Sequence, residues 1–301
     1  MQRTPLTIAA FALAIVAATA RGQAPIVGWT VTRNTTTDSG KGPSSMAMRQ
    51  QITPRYLRTE FAQISGARDQ SADAEGMYMI FDSVDSTVTM VMPNQHMATI
   101  IGLGMVGSTM KNATADIKKL TTSGNHMSTG PVENLGAGER ILGHATRHYR
   151  NTFDWTMQVG EGEQGCTRHT TGVEETWIAP DVDLESAADN AMAKTMGKMF
   201  GDMDDMPDDT RVTAATPKGS HLRTIKHSQS TDADGRPISV TTTDEIVELS
   251  HGPLADSLFH APAGFRVMDM RSMMKDLNPD MLASMAPTAR LQDALCGKKT
   301  P

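Results

Sequence analysis

The segment from Thr152 to Val159 alternates apolar and polar residues more regularly than any other part of the chain. Because successive side chains of a strand point to opposite faces, its apolar residues share one face and its polar residues share the other. The apolar set is Phe153, Trp155, Met157 and Val159. We therefore expect an antiparallel sheet with one buried face and one face in water.

Shorter segments repeat this pattern and predict further strands. Met77–Phe81 and Thr87–Met92, linked by a short polar turn, predict a β-hairpin, and His96–Ile101 is expected to follow as a third strand. Additional strands are expected at 173–178, 219–228 and 237–249, the last two joined by a turn that ends in Asp234-Gly235. In the last of these, the apolar residues change from even to odd positions, which predicts a β-bulge near Asp244 and Glu245.

Helical patterns are fewer than strand patterns. The clearest runs from Asp183 to Phe200, with Asp183 as the N-cap and Gly201 after its end. Its apolar stripe includes Leu184, Met192, Met196 and Met199. Two further helices are expected within residues 107–120 and 271–285.

The N-terminus has the pattern of a secretory signal peptide. Arg3 precedes an uncharged apolar run from Leu6 to Ala20, and small residues follow as candidate cleavage sites. The run is shorter than the ~20 residues that span a bilayer, although a retained anchor is the alternative. We expect residues 1–24 to be the signal, and the mature chain to be a soluble periplasmic or secreted protein. No cysteine lies near the cleavage region, so a lipid anchor there is not expected.

The stretch Ile141-Leu-Gly-His-Ala-Thr-Arg-His-Tyr-Arg150 suggests either a metal cluster or one strand of a sheet. In a strand, His144 and His148 would share a face but lie about 13 Å apart, at about 3.3 Å per residue. Both could not hold one ion without a bend, so we favour a solvated strand face and expect no metal here.

The same stretch carries a family resemblance. Ile141-x-Gly143 with Tyr149, followed by Glu175-Thr-Trp-Ile-Ala-Pro-Asp181, resembles the lipoprotein carrier (LolA/LolB)-like superfamily. Within it, the chain is most similar to the exported family known as domain of unknown function 4412. Met90-Val-Met-Pro-Asn94 and Phe259–Val267 also fit.

That resemblance covers residues 25–270 and implies an α+β fold. The fold would be a curved antiparallel sheet, an unclosed half-barrel, with helices on its concave side and helix 183–200 at the centre. In characterised relatives the hollow holds acyl chains or senses a lipoprotein. Residues 271–301 lie beyond the resemblance and are expected to form a helical tail.

Methionine supplies much of the apolar bulk, with 23 residues against 7 Phe, 3 Tyr and 3 Trp. These flexible side chains suit an adaptable lipid cavity, but they could equally be ordinary core. Cavity candidates are Met79, Met90, Met92, Trp155, Met157, Trp177, Met192, Met196 and Met199. A third interpretation is a copper-handling protein, since Met46-x-Met48, Met77-x-Met79, Met90-x-Met92 and Met268-x-Met270 resemble exported Cu(I)-binding spacings.

Other ligand and partner classes have little support. The net charge of −6, without a basic stripe, argues against nucleic acid. The acidic segment 202–209 lacks the ligand spacing of a calcium loop, but it could contact a protein partner in an envelope-stress module. Cys166 and Cys296 could form a disulfide or remain two thiols.

No catalytic motif assembles in the sequence. It holds no metalloprotease, nucleophile-elbow or phosphate-loop pattern, so we expect a protein without catalytic residues or a cofactor. The expected function is binding of a lipid, an acyl chain or a lipoprotein in the hollow of the sheet.

Overall fold

The alternating segments form the strands of one large open sheet in the computed structural model. The structure describes residues 25–40, 42–65, 76–103, 126–159, 166–184, 217–231 and 236–273. The expected signal peptide, the acidic segment 202–209 and most of the C-terminal tail lie outside these ranges.

Thirteen strands make up the sheet. The first seven are β1 (Ile26–Asp38), β2 (Pro43–Ile52), β3 (Tyr56–Ser65), β4 (Tyr78–Asp82), β5 (Thr87–Met92), β6 (Met97–Gly102) and β7 (His126–Thr129). The others are β8 (Glu133–Ala137), β9 (Arg147–Val159), β10 (Cys166–Ala179), β11 (Ser220–Thr231), β12 (Pro237–Leu254) and β13 (Arg266–Asp269). Two 3-10 segments, Pro93–Gln95 and Asp256–Phe259, and one helical turn, Met270–Met273, complete the described elements.

The strand order is β13-β6-β5-β4-β3-β2-β1-β12-β11-β10-β9-β7, and β8 pairs with the start of β9. Neighbouring strands are antiparallel except β13 and β6, which are parallel. The central pair, β1 and β12, joins the two ends of the described chain, with Ile26 opposite Leu254. Strands β1–β6 and β7–β12 therefore form the two halves of one continuous sheet, and β13 pairs with β6 at the edge of the first half.

The predicted fold class is wrong for the described residues. They form almost nothing but strands, in one unclosed mixed sheet, and no helix among them covers a concave side. The sheet is mixed because β13 pairs with β6 in parallel. Residues 255–265 carry the chain from β12, at the centre of the sheet, to this pairing. Three helices were predicted, at 107–120, 183–200 and 271–285. Most of their residues lie outside the described ranges. Leu184, at the predicted start of one of them, is irregular, and its N–H donates to the Ser220 hydroxyl at 2.8 Å.

Several strand predictions are confirmed. The hairpin of β4 and β5 forms with Met79 opposite Met90, and β6 follows it as expected. The predicted bulge in β12 also exists, but it lies at Val247, because Thr32 and Arg33 pair with Glu248 and Ile246. The extra residue turns Val247 outward, where 37% of it is exposed, and keeps Ile246 in the core at 1%.

The sheet has two apolar clusters, one on each face. We call the side that carries Val31, Leu57 and Phe81 the inner face, and the side that carries Ile80 and Val91 the outer face. All five of these side chains are at most 7% exposed. The inner cluster extends across the centre of the sheet to Leu222 and Ile246, whereas the outer cluster joins β3–β6 to Phe259, with Ile26 and Leu254 packed against it.

The stretch Ile141–Arg150 is not a single strand, contrary to the prediction. Ile141 and His144 form an isolated bridge around a tight turn, with positive φ at Leu142 and Gly143. Gly143 adopts its φ of +85° without steric cost, since it has no Cβ. Strand β9 begins only at Arg147.

Candidate ligand-binding face

The outer face of β3–β6 is covered by the protein's own chain. The segment after β12 lays Phe259 on Tyr56, with the two rings stacked at 5.0 Å between centroids. Arg58 holds the same segment, since its guanidinium donates to the Leu258 carbonyl at 2.8 Å and lies 3.7 Å from the Tyr78 ring centroid. This side of the sheet is therefore occupied by protein.

The inner face of the same strands is only partly covered. Its lowest row is core, with Ile52, Leu57 and Phe81 at most 7% exposed. Above that row the apolar side chains are half-buried. We call this set the methionine face; it comprises Met46, Met48, Phe61, Met79, Met90, Met92 and Met97.

Strand register brings these residues together. Met79 lies opposite Met90, and Met92 lies opposite Met97. Met48 pairs with Phe61 on β3 and with Arg33 on β1. Directly opposite residues have Cβ atoms about 4.5–5.5 Å apart, so the methionines of β4–β6 adjoin one another. Between them and Met48, the inner positions hold Thr59, which lies opposite Met79, and Gln50, which donates a hydrogen bond to Thr59. On β1 the surface ends at the cationic Arg33.

Arg33 lines a cavity of about 630 Å³ at this end of the methionine face. Its apolar walls come from Ile52, Val182 and Leu184, and its charged lining consists of Arg33, Lys218 and the carboxylate of Asp183. The Arg33 guanidinium is ion-paired with Asp244, whose other oxygen accepts a hydrogen bond from the Thr35 hydroxyl at 2.8 Å. A volume of this size lies within the range of small-ligand sites.

Beyond the core positions Val31, Leu222 and Ile246, the inner face of β1 and β10–β12 is mostly polar. By register, threonines occupy inner positions on four central strands, together with Glu174 and Lys226. These threonines are Thr35, Thr37, Thr176, Thr224 and Thr242. The methionine face is therefore limited to β2–β6 and does not extend over the whole sheet.

The structure assembles only part of the predicted cavity set. Met79, Met90 and Met92 lie together on the methionine face. Trp155 is on the inner face but far from them, and it is 41% exposed, so the expected burial of this part of β9 is wrong. Thr170 of β10 and Met127 of β7 lie opposite Trp155 on its two sides.

The other members of that set do not join the methionine face in the described structure. Trp177 pairs with His148 in a register that places Phe153 on the other side of the sheet, and it packs against the end of the inner cluster, away from the methionines. Met192, Met196 and Met199 lie outside the described residues, as does the side chain of Met157. The Cys166 side chain and Cys296 also lie outside them, so the disulfide stays a prediction.

Three basic side chains of the stretch 141–150 contact carboxylates. His148 stacks on Trp177 at 4.2 Å and contacts Glu175 through Nε2 at 2.9 Å. Arg150 also donates to Glu175, and its hydrogen bonds are the main reason why the pKa of that carboxyl lies below its ordinary value. His144 instead pairs with Asp181 at 2.9 Å. The two histidines therefore belong to separate contacts.

Among the described residues, no three His, Cys, Asp or Glu side chains form a metal-binding group.

The most tightly held carboxylate, Asp82, has a structural role. Burial alone would raise the pKa of Asp82, but hydrogen bonds from Arg55 and from the backbone N–H groups of Asp85 and Val84 lower it. Arg55 thereby joins the turn before β3 to the turn after β4.

Sequence reasoning missed part of the methionine face. β1 and β2 were not predicted, so Arg33 was not considered, and Met46 and Met48 were considered only as a copper motif. The sequence did contain a strand pattern in β2, because Met46, Met48 and Ile52 occupy alternate positions together with the polar Gln50. Met97 and Phe61 are recognisable only from the strand order.

No protein-family model and no curated protein sequence matches the chain. The predicted relation to domain of unknown function 4412 is therefore not confirmed. Within the described part of the chain, no helix is long and apolar enough to span a membrane.

Three solved structures show distant similarity. An uncharacterised conserved protein from Thermus thermophilus is 11% identical, with a TM-score of 0.30, covering 79% of this chain and 90% of that one. A LolA superfamily protein from Nitrosomonas europaea is 8% identical, with a TM-score of 0.26 and coverage of 79% and 92%. A domain provisionally named as an outer membrane lipoprotein-sorting protein, from Vibrio parahaemolyticus, is 9% identical, with a TM-score of 0.23 and coverage of 88% and 94%.

Proposed function

We propose that the protein binds an acyl chain on the methionine face, without chemical reaction. The observation that carries this proposal is the contrast between the two faces of β3–β6. Phe259 and its neighbours bury the outer face, while Met79, Met90 and Met92 remain half-buried on the inner face. An apolar ligand would remove this surface from water.

Burial alone is sufficient to hold such a ligand. Removing about 300 Å² of apolar surface from water contributes about 7 kcal/mol, at about 25 cal/mol per Å². Part of this gain offsets the loss of translational and rotational freedom on association. Methionine side chains are unbranched and flexible, so they can adapt to acyl chains of different length.

Arg33 would orient the ligand. It lies opposite Met48 at the border of the methionine face and lines the cavity of about 630 Å³. A guanidinium has five N–H donors, and Asp244 occupies only part of them. A ligand carboxylate or phosphate in the cavity would receive the remaining donors, while its acyl chain follows the methionines.

In this proposal the protein is exported and shelters the acyl groups of a lipid or a lipoprotein from water. The expected signal at residues 1–24 would place the mature chain in the periplasm or outside the cell. No cofactor and no reacting side chain is required, since the work consists of keeping apolar groups out of water.

Paired substitutions on the methionine face test the proposal. Glutamine resembles methionine in length but is polar, so Met79→Gln with Met90→Gln should weaken palmitate binding at least about tenfold, a change of about 1.4 kcal/mol. Leucine keeps the surface apolar, so Met79→Leu with Met90→Leu should retain binding. Isothermal titration with palmitate measures both, and circular dichroism checks the fold.

Val84→Gln is a matched control, because Val84 lies in the turn between β4 and β5 and is 69% exposed. It should bind palmitate like the wild type. The proposal fails if the wild-type protein, folded and purified from the exporting host, binds neither palmitate nor phospholipid. It also fails if the glutamine pair binds palmitate as tightly as the leucine pair.

A further inference from the structure

The methionine face is richest in sulfur at the β4–β6 end. The two sequence motifs Met77-x-Met79 and Met90-x-Met92 lie on neighbouring strands that pair directly. Met79 is opposite Met90, and Met97 is opposite Met92 on the other side of β5. Met77 precedes β4 by one residue and is half-buried like the other four methionines.

We propose that these five methionines form a thioether site for a soft monovalent cation, Cu⁺ or its analogue Ag⁺. This inference does not depend on acyl-chain binding. Directly opposite residues have Cβ atoms about 4.5–5.5 Å apart, and alternate residues of one strand are about 6.7 Å apart. The rotatable bonds of methionine allow three sulfur atoms to converge from this spacing.

The chemistry of the surrounding positions selects a soft ion. By register, the remaining inner positions of β4–β6 are Phe81, Val88, Thr99 and Ile101, so this patch offers no carboxylate or imidazole. His96 lies between Met92 and Met97 in sequence, but its ring packs 5.4 Å from that of Phe265. Thioethers favour Cu⁺, whereas Ca²⁺ and Mg²⁺ require oxygen ligands, and Zn²⁺ sites use thiolate, imidazole or carboxylate.

The exposure of these side chains fits a binding site. Met77, Met79, Met90, Met92 and Met97 are all half-buried, so an ion can reach the sulfur atoms from solvent. The neighbouring row of Leu57, Phe81 and Ile52 is at most 7% exposed and gives the patch a rigid base. A bound ion would cross-link β4, β5 and β6 through their side chains.

Silver titration of the full mature chain tests the inference, because Ag⁺ is not subject to redox change under these conditions. We expect the ε-methyl NMR signals of Met79, Met90 and Met92 to shift on addition of one equivalent. Met79→Leu with Met90→Leu should weaken silver binding at least about tenfold. Met46→Leu with Met48→Leu removes the same number of sulfur atoms two strands away and should leave the binding unchanged.

Competition with bicinchoninate under anaerobic conditions extends the test to Cu⁺, and zinc should not compete. The inference is overturned if the wild-type signals do not shift, or if the two leucine pairs lose silver affinity equally. Palmitate is titrated in parallel with silver on the wild-type protein, so the two proposals can fail separately. A wild-type protein that binds silver but no lipid would support the cation site and contradict the acyl-chain proposal.

Discussion

The ring of Phe259 stacks on the ring of Tyr56, with centroids 5.0 Å apart and planes 12° from parallel. The two residues are more than 200 positions apart in the sequence, and both are at most 7% exposed. Their contact closes the outer face of β3–β6 and leaves the methionines of the inner face as the accessible apolar surface. The identity of the binding face thus depends on where residues 255–265 pack.

Phe259→Ala should destabilise the protein by about 3–5 kcal/mol, because it removes a buried aromatic ring and leaves a cavity beside Tyr56. Urea denaturation followed by tryptophan fluorescence measures the loss. Val84→Ala truncates a side chain that is 69% exposed, so it should change the free energy of unfolding by less than about 0.5 kcal/mol. Equal effects of the two substitutions would contradict the packing described for the outer face.

Asp82 should make the stability sensitive to acid. Its folded pKa is lower than the ordinary value of 3.8, so the stabilisation is present above that value and is lost as the pH falls through the folded pKa. Asp82→Asn should cost about 1–3 kcal/mol at neutral pH and flatten the decline of stability below about pH 4. Denaturation curves between neutral and acidic pH give the comparison.

The exposed Glu133 provides the control for that experiment, since Glu133→Gln changes a carboxylate of β8 far from Arg55. The free energy of unfolding of the Glu133→Gln variant should depend on pH in the same way as that of the wild type. A variant at Asp82 that keeps the full acid sensitivity would show that Arg55 and the turn N–H groups do not stabilise the carboxylate.

Two strand glycines should respond oppositely to alanine. A Cβ at Gly172 would lie 2.2 Å from the His227 carbonyl oxygen and 2.3 Å from the Phe153 ring, so Gly172→Ala should destabilise by about 1–3 kcal/mol. A Cβ at Gly252 meets nothing within 4 Å, so Gly252→Ala should be neutral or stabilise by up to about 1 kcal/mol. Thermal denaturation of both variants is the measurement, and a neutral Gly172→Ala would contradict the packing of Phe153 over β10.

Arg33→Gln should reduce affinity for palmitate more than affinity for hexadecanol, which has the same chain without a carboxylate. A hydrogen bond to a charged group contributes about 1.5–3 kcal/mol, which corresponds to about tenfold or more in the dissociation constant. Competition with a fluorescent fatty acid gives both constants. An equal loss for the two ligands would show that Arg33 supports the fold through Asp244 and does not contact a head group.

Periodicity was sufficient to predict individual strands and their faces. Met79 and Phe81 were assigned to one side, and so were Met90 and Met92, because alternation depends only on local backbone geometry. The bulge in β12 was also predictable, since a change of phase requires an extra residue. The register opposite β1 then determined that the extra residue is Val247.

Pairing between distant segments was not predictable from these patterns. Alternation in β1 does not reveal that Val31 lies opposite Leu249, because ladder hydrogen bonds are made by backbone groups that every residue carries. For the same reason the sequence did not show that Arg33 borders Met48, or that Phe259 covers the outer face. Trp155 was expected to be buried but is 41% exposed, because alternation assigns a residue to a face without showing whether that face is covered.

The most direct test of acyl-chain binding is photo-crosslinking with a fatty acid that carries a diazirine near the end of its chain. After illumination and proteolysis, mass spectrometry identifies the labelled peptides. We predict that the label falls on β4, β5 and the start of β6, around Met79, Met90 and Met97, and that unlabelled palmitate prevents it. Labelling that is confined to exposed loops such as that of Val84, or that excess palmitate does not reduce, would contradict binding on the methionine face.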